Sequence, residues 1–312
     1  MGITRLEDAN RHEFELGHLR GAWTFLSEAA GSVGVGLRRI ELPAGGWSTP
    51  AHEHGAAEEI FYVLAGSGLS WQDGRTTRIA AGDCIVYLPR SGPHTLHAVE
   101  ALDVLAFGPR VRDEAARFPR LGLSLVGSGA VETVPSTIER TPIQFVREAE
   151  LGPPDLPEPG PRPANVINLS ETVADVRDGR RVRRTRRNLG RAAGSKTCGV
   201  QHVEVAPGGE SAPAHCHSAE EEIFVILSGA GVLVLGEADG EIPIAPGHVV
   251  ARPPATRIAH MFRAGEGGLE YLAFGTREAA DLCFYPRSNK IAFGGIGVVA
   301  RIERLDYWDG ED

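Results

Sequence analysis

Lysine is nearly missing from this sequence. Of 32 basic residues only Lys196 and Lys290 are lysines, and 41 Asp and Glu leave a formal charge of −9. An acidic chain lacks the electrostatic footprint of a nucleic-acid binder, so no such partner is expected. The preference for arginine reads as coding bias. Cysteine is also scarce. Cys84, Cys198, Cys216 and Cys283 form no C-x-x-C pair, which argues against a disulfide scaffold and for a reduced, cytoplasmic setting. No apolar run approaches the roughly 18 residues of a membrane span, so no membrane partner is expected. The N-terminal stretch MGITRLEDANRHEF is polar and carries no apolar core of a secretory signal. Methionine occurs only as Met1 and Met261.

Turn-forming residues, by contrast, are plentiful: 39 glycines and 21 prolines in 312 residues. Short apolar runs recur between them. Val35, Leu37, Ile40 and Leu42 alternate roughly with polar residues and stop at Pro43-Ala44-Gly45-Gly46. Runs near Gly68–Trp71, Thr76–Ile79, Cys84–Leu88, His94–Val99 and Leu102–Phe107 follow, each bounded by turn chemistry. Strands this short and regular indicate an all-β sandwich or barrel. Asp113 to Arg117 is expected as a short helix. The run Gly152-Pro-Pro-Asp-Leu-Pro-Glu-Pro-Gly-Pro-Arg-Pro163 is too proline-rich for regular structure and reads as a stiff linker over 151–163.

The two sides of that linker repeat each other. The segment GGWSTPAHEHGAAEEIFYVLAGSG ending at Gly68 aligns with GGESAPAHCHSAEEEIFVILSGAG, Gly208 to Gly231, with more than half of the positions identical. Ala106-Phe107-Gly108 matches Ala273-Phe274-Gly275, and Phe118-Pro119-Arg120 matches Tyr285-Pro286-Arg287. The unit is a whole domain, not a solenoid repeat. Two domains are therefore expected, 1–150 with a barrel core at about 33–108, and 164–312 with a core at about 196–275.

Each copy carries a metal-ligand pattern. His52 and His54, at i and i+2 of an extended segment, present two imidazoles to one side. Glu59 opens the next apolar strand and can bring a carboxylate to the same point. His94, after Gly82 and Pro89, completes the set. In the second copy the residues are His215, His217, Glu222 and His260. Three imidazoles and a carboxylate suit a divalent first-row transition metal, one per barrel. The absence of a thiolate argues against a structural cysteine-type zinc site.

The pattern G-x5-H-x-H-x4-E-x6-G, then G-x6-P-x4-H, resembles the paired motifs of the cupin superfamily, and its double occurrence resembles a bicupin. The resemblance implies two tandem double-stranded β-helix (jelly-roll) barrels with few short helices, and a metal inside each barrel near one mouth. It implies open coordination positions for water, oxygen or a chelating small-molecule substrate. Fe(II) is favoured, with Mn, Ni, Zn and Cu as other options. A metal-dependent dioxygenase is the leading expectation. The alternatives are a metal-dependent lyase, decarboxylase or isomerase, and a non-catalytic ligand-binding or sensor protein. Oxalate decarboxylases, which are bicupins, carry an arginine three residues before the first histidine and a tryptophan between the two. Here those positions hold Thr49 and Glu53, or Ala212 and Cys216, which argues against oxalate.

Phe61 and Phe224, two residues beyond the glutamates, are expected to line the pockets, with Tyr87, Arg252 and Met261 as further candidates. Cys216 is expected to point from the metal into the core. Glu58 and Glu221 should face away from their neighbouring ligands, and His248 should lie at the surface. For the run Arg180–Arg187 two readings stand, a site for an anionic partner and a solvated edge strand or loop; the acidic balance of the chain favours the second. No general acid or base can be assigned from sequence. Two fused barrels imply a monomer or a homodimer of the whole chain.

Overall fold

The computed structural model describes residues 2–126, 143–236 and 240–311, so 127–142 of the expected first domain lie outside it. The chain is all-β and forms two tandem double-stranded β-helix barrels. Among the described residues the α-helices are Leu26–Ala29, Ile143–Leu151 and Leu189–Ala192. No helix is long and apolar enough to cross a membrane.

In the first barrel one sheet runs in the order Val166–Asn168, Asp83–Tyr87, Glu59–Ala65, Leu102–Pro109, Val35–Leu42, Leu19–Phe25 and Asn10–Leu16. The facing sheet holds His94–Ala98, Ser67–Gln72 and Arg75–Ala80. In the second barrel the same course is followed by fewer, longer strands. Glu222–Leu235 and His260–Thr276 bend through both sheets, with register shifts at Ile226/Ser228 and Gly229/Gly231. The segment expected as a helix, Asp113 to Arg117, instead contributes to the strand Ala115–Phe118, which pairs with Glu53–His54. Its residues find hydrogen-bond partners on a neighbouring strand, and this tertiary pairing overrides local propensity.

The apolar runs break strict alternation for a reason visible in the packing. Ile60, Tyr62, Cys84, Val86, Leu105 and Phe107 turn outward from the first barrel into a core shared with Val200, Ile223, Val225, Val249, Leu272 and Phe274 of the second. Their neighbours Phe61, Val63, Ile85, Tyr87, Val104 and Ala106 fill the first barrel's interior. Strands buried on both faces must be apolar at consecutive positions. Phe107 and Phe274 stack at the middle of the shared core, ring centroids 5.0 Å apart.

Two reciprocal devices fasten the halves. Gly2–Arg5 pairs with His248–Arg252 of the second barrel, and Val166–Asn168 pairs with Asp83–Tyr87 of the first. Each half thus lends a strand to the other's sheet. Glu58 and Glu221, facing away from the sites, are buried in the opposite half. Glu58 accepts hydrogen bonds from Ser195 Oγ (2.7 Å), the backbone N–H groups of Lys196 (2.7 Å) and Thr197 (2.9 Å), and Cys198 Sγ (3.2 Å). Glu221 accepts from the backbone of Val33 (3.0 Å) and Gly34. Residues 152–163 form no helix or strand and lie along the first barrel. Trp71 Nε1 donates to the Asp155 carbonyl (3.0 Å), and Arg162 pairs with the buried Asp83 at 2.8 Å. His248, which takes the place of Asp83 in the second copy, is half-buried and does the same work. Its Nδ1 accepts from the Ala245 N–H (3.0 Å), as Asp83 accepts from Ala80 (2.8 Å).

The glycine closing each glutamate strand has a steric cause. A Cβ on Gly66, whose φ is +85°, would stand 1.8 Å from the Ala101 carbonyl oxygen; on Gly229 it would stand 2.3 Å from that of Gly268. Gly66→Ala is expected to cost on the order of 2–3 kcal/mol in urea unfolding, from backbone strain and collision together. Burial alone would raise the Glu58 carboxyl, but its hydrogen bonds outweigh burial and lower it. Its stabilising contribution is therefore complete above the unfolded glutamate value and is lost as pH falls through the folded one. Glu58→Ala should destabilise the protein by about 2–3 kcal/mol at pH 7, and the difference from wild type should shrink below about pH 4.

Candidate metal centres

Each barrel gathers the four expected side chains. In the first, Glu59 Oε2 lies 2.9 Å from His94 Nε2, 3.6 Å from His54 Nε2 and 3.8 Å from His52 Nε2. In the second, Glu222 Oε2 lies 3.0, 3.6 and 3.7 Å from the Nε2 atoms of His260, His217 and His215. Local folding explains the convergence. His52 bridges to His94, and His215 to His260, across facing backbone segments. Glu59 and Glu222 enter from the first position of their strands.

On the paired histidines of each set, His52 and His54, His215 and His217, the other ring nitrogen is already committed. His52 Nδ1 donates to the Pro50 carbonyl at 2.9 Å, and His215 Nδ1 to that of Pro213 at 2.8 Å. His54 Nδ1 faces Glu114 at 3.3 Å, and His217 Nδ1 faces Asp281 at 2.7 Å. This fixes the tautomer that presents Nε2 lone pairs inward. His54 Nε2, His260 Nε2 and Glu222 Oε2 are buried with no hydrogen-bond partner. Buried polar atoms left unpaired at the meeting point of three imidazoles and a carboxylate fit a divalent cation.

Without a cation, protons take up the charge. Burial disfavours charge on His54, but Glu114 and Glu59 prevail and push it up to about 10. Burial likewise opposes charge on His217, and Cys283, Glu222 and Asp281 raise it to about 11. Burial lowers His52 to about 3 and His260 to about 4. Burial would raise Glu59 and Glu222, but the imidazoles crowded against their carboxylates favour the charged form and hold both well below the usual carboxylate range.

Sequence reasoning missed Glu114 and Asp281. Beyond orienting a histidine, each clamps the loop ahead of its metal-facing glutamate. Glu114 accepts from Gly55 (2.8 Å) and Ala57 (2.6 Å), and Asp281 from Ala219 (2.9 Å) and Glu220 (3.1 Å). Their signal was the repeat itself, which sets one acid against the other. Phe118 and Tyr285, matched in the repeat, stack on His52 and His215 at 5.7 and 5.8 Å.

The expected pocket residues divide. Phe224 and Met261 line a cavity of about 460 Å³ that reaches His215, His217, Glu222 and His260. Phe61 and Tyr87 are buried in the first barrel's interior, where Tyr87 stacks on His94 at 3.8 Å and bonds Ser70 Oγ at 2.6 Å. Arg252, which pairs with Glu222 as Tyr87 pairs with Glu59, is buried and donates to the Ile258 carbonyl at 2.6 Å; it does not line the cavity. Cys216 is half-buried and, among the described residues, stands apart from the converging groups; Cys283, unflagged by sequence, lies beside His215 and His217. The reading of Arg180–Arg187 as a solvated edge is corrected. Arg183–Arg187 is an inner strand between Ala174–Asp178 and Cys198–Val205, and alternation turns Arg184 and Arg186 into the cavity. Composition cannot reveal which arginines a strand aims inward.

Comparisons with known proteins agree with this architecture. The family profile described as "Cupin domain" matches residues 38–107 and 201–274. Auxin-binding protein 1 of Arabidopsis thaliana is 46% identical over 59 residues, a match covering 17% of this chain and 29% of that protein. Solved structures of oxalate decarboxylase are similar over nearly the whole chain. A mutant of the Bacillus subtilis protein has a TM-score of 0.57 at 18% identity, covering 90% of this chain and 78% of that one. The Lactobacillus farciminis protein, as a formate complex, has a TM-score of 0.58 at 16% identity, covering 88% and 86%. Another Bacillus subtilis oxalate decarboxylase structure, at a TM-score of 0.56 and 17% identity, covers 90% and 78% and concerns Mn(II) centres. Identities this low establish a shared fold and nothing further.

Asp281→Asn should weaken divalent-metal binding at the second site by about 10- to 100-fold, and Glu114→Gln should do so at the first. Competition against a chromophoric chelator measures both. Unchanged affinity would remove the orienting role of these acids.

Proposed function

We propose that this chain, which belongs to the cupin superfamily as a bicupin, is a metal-dependent enzyme of the lyase or decarboxylase class. It acts on a small organic acid, and the second barrel is the working site. The observation that carries this reading is the opening of the second ligand set, with its proton-carrying neighbours, onto a common cavity. Besides the four ligands, that cavity is lined by Glu220, Tyr271, Tyr285 and Cys283. The first barrel holds Ala57 where the second holds Glu220, by the same offset that relates His54 to His217.

A divalent ion held by His215, His217, Glu222 and His260 would supply Lewis-acid polarisation of a carboxylate or carbonyl oxygen. The chain's own contribution is positioning and proton handling. Asp281 and the Pro213 carbonyl lock two imidazoles in orientation. Tyr285 stacks on His215, and its hydroxyl is kept protonated by burial. Glu220 lines the same cavity, with an oxygen 3.8 Å from His217 Nδ1 on the ring edge turned from the ligand cluster; burial raises its carboxyl, which makes it the proton carrier of this wall. Phe224, Met261 and Phe262 exclude water from the inner wall.

A three-histidine, one-carboxylate set suits an Fe(II) dioxygenase equally well. Support for non-oxidative chemistry comes from the fold-level likeness to oxalate decarboxylases over both barrels. Thr49 and Ala212, where those enzymes carry arginine, favour an acid other than oxalate. The donor set accepts Mn(II) as readily as Fe(II).

The test is anaerobic turnover of a panel of small carboxylic acids by metal-loaded protein. Carbon dioxide or an elimination product without oxygen uptake is expected; oxygen consumed in step with product would replace this reading by the dioxygenase. Glu222→Gln should lower turnover at least about 100-fold, while Glu59→Gln should leave most of it.

A further inference from the structure

We infer that Arg184 and Arg186 form a carboxylate-recognition site at the outer part of the second-barrel cavity, so that the substrate carries an anionic group remote from its metal-facing end. This inference rests on the second barrel being the working site.

Both arginines line the cavity that contains His215, Glu222 and His260. They are alternate residues of one strand, so their side chains leave the same face. Arg183 and Arg187, on the opposite face, are engaged elsewhere, with the Pro207 carbonyl and with Glu204 at 2.7 Å. At the exposed rim the two guanidinium groups share a single carboxylate. Asp175 Oδ2 lies 2.7 Å from Arg186 Nη2 and 3.3 Å from Arg184 Nη1. Asp175 is the more exposed partner, with 54% of its side chain accessible against 15% for Arg184 and 39% for Arg186. One carboxylate for two cations leaves a positive charge that Asp175 does not compensate, at the solvent-facing end of the cavity. Planar guanidiniums with free donors favour a carboxylate over a spherical anion.

The first barrel shows that this feature is not dictated by the fold. Arg186 stands opposite Val203, as Trp23 stands opposite Ile40. Trp23 packs against Phe14 and Phe145, at 4.6 and 5.3 Å, and so fills with aromatic rings the place the second barrel gives to a cation. Arg184 likewise takes the position that Gly21 holds in the first half. The two copies keep the same metal ligands and differ in what surrounds them. A site that must admit a doubly anionic molecule, one end at the ligands and one at the arginines, accounts for the difference in charge.

The experiment is calorimetric titration of the Mn(II)-loaded full chain with dicarboxylates of two to six carbons, and with monocarboxylates of equal length. One or more dicarboxylates should bind at least about 10-fold tighter than the matched monocarboxylate. Arg186→Gln, alone or with Arg184→Gln, should erase that preference without changing the bound manganese. Asp175→Asn should tighten dicarboxylate binding by about 3- to 10-fold, because it frees the guanidiniums; a structural role for the cluster predicts no gain. The inference is overturned if wild type shows no preference for dicarboxylates, if the arginine variants retain it, or if Asp175→Asn weakens binding. His215→Ala tests the underlying reading separately. Persistence of arginine-dependent binding after loss of the second-site metal would sink the metal-centred function while leaving the arginine site intact.

Discussion

Burial on both faces of the glutamate strands is the constraint that organises this protein. Glu58 and Glu59 are sequence neighbours, so a strand must send them to opposite sides. Glu59 joins three histidines inside the barrel, and Glu58 is buried against the other half, held by Ser195, Lys196, Thr197 and Cys198. Glu221 and Glu222 repeat the arrangement in reverse. The strand that positions each metal-facing carboxylate is therefore also the strand that fastens the two barrels. Buried carboxylates are tolerated at these four positions because each is matched by hydrogen-bond donors or by imidazoles.

The same constraint ties the halves into one folding unit. The shared core draws alternate residues from both barrels, and each half completes the other's sheet with a short strand. Separating the barrels would expose apolar surface on both, together with Glu58 and Glu221. The chain thus reproduces within itself the kind of twofold packing that two copies of a single-domain protein would need to assemble.

Within that symmetric frame the two cavities have diverged. In the first barrel Tyr87 stacks on His94 and Trp23 packs on Phe14 and Phe145, whereas the second places Glu220, Tyr285, Arg184 and Arg186 around its cavity. The acids Glu114 and Asp281 stay equivalent because both perform the same two tasks, orienting a histidine and holding the preceding loop.

By itself the sequence determined the duplication, the all-β class and the two four-residue groups, because these depend on local periodicity and on motif spacing imposed by strand geometry. The closing glycines belong to the same class, since Gly66 and Gly229 answer to backbone approach that no other residue permits. Tertiary structure alone decided the rest. Asp113–Arg117 extends because a neighbouring strand offers hydrogen bonds, Glu58 finds its partners in the other barrel, and two arginines of the run, Arg184 and Arg186, turn inward because their strand lies inside a sheet. Each outcome depends on which distant segments meet or on which face of a strand is covered, and neither quantity is written in the pattern of one segment.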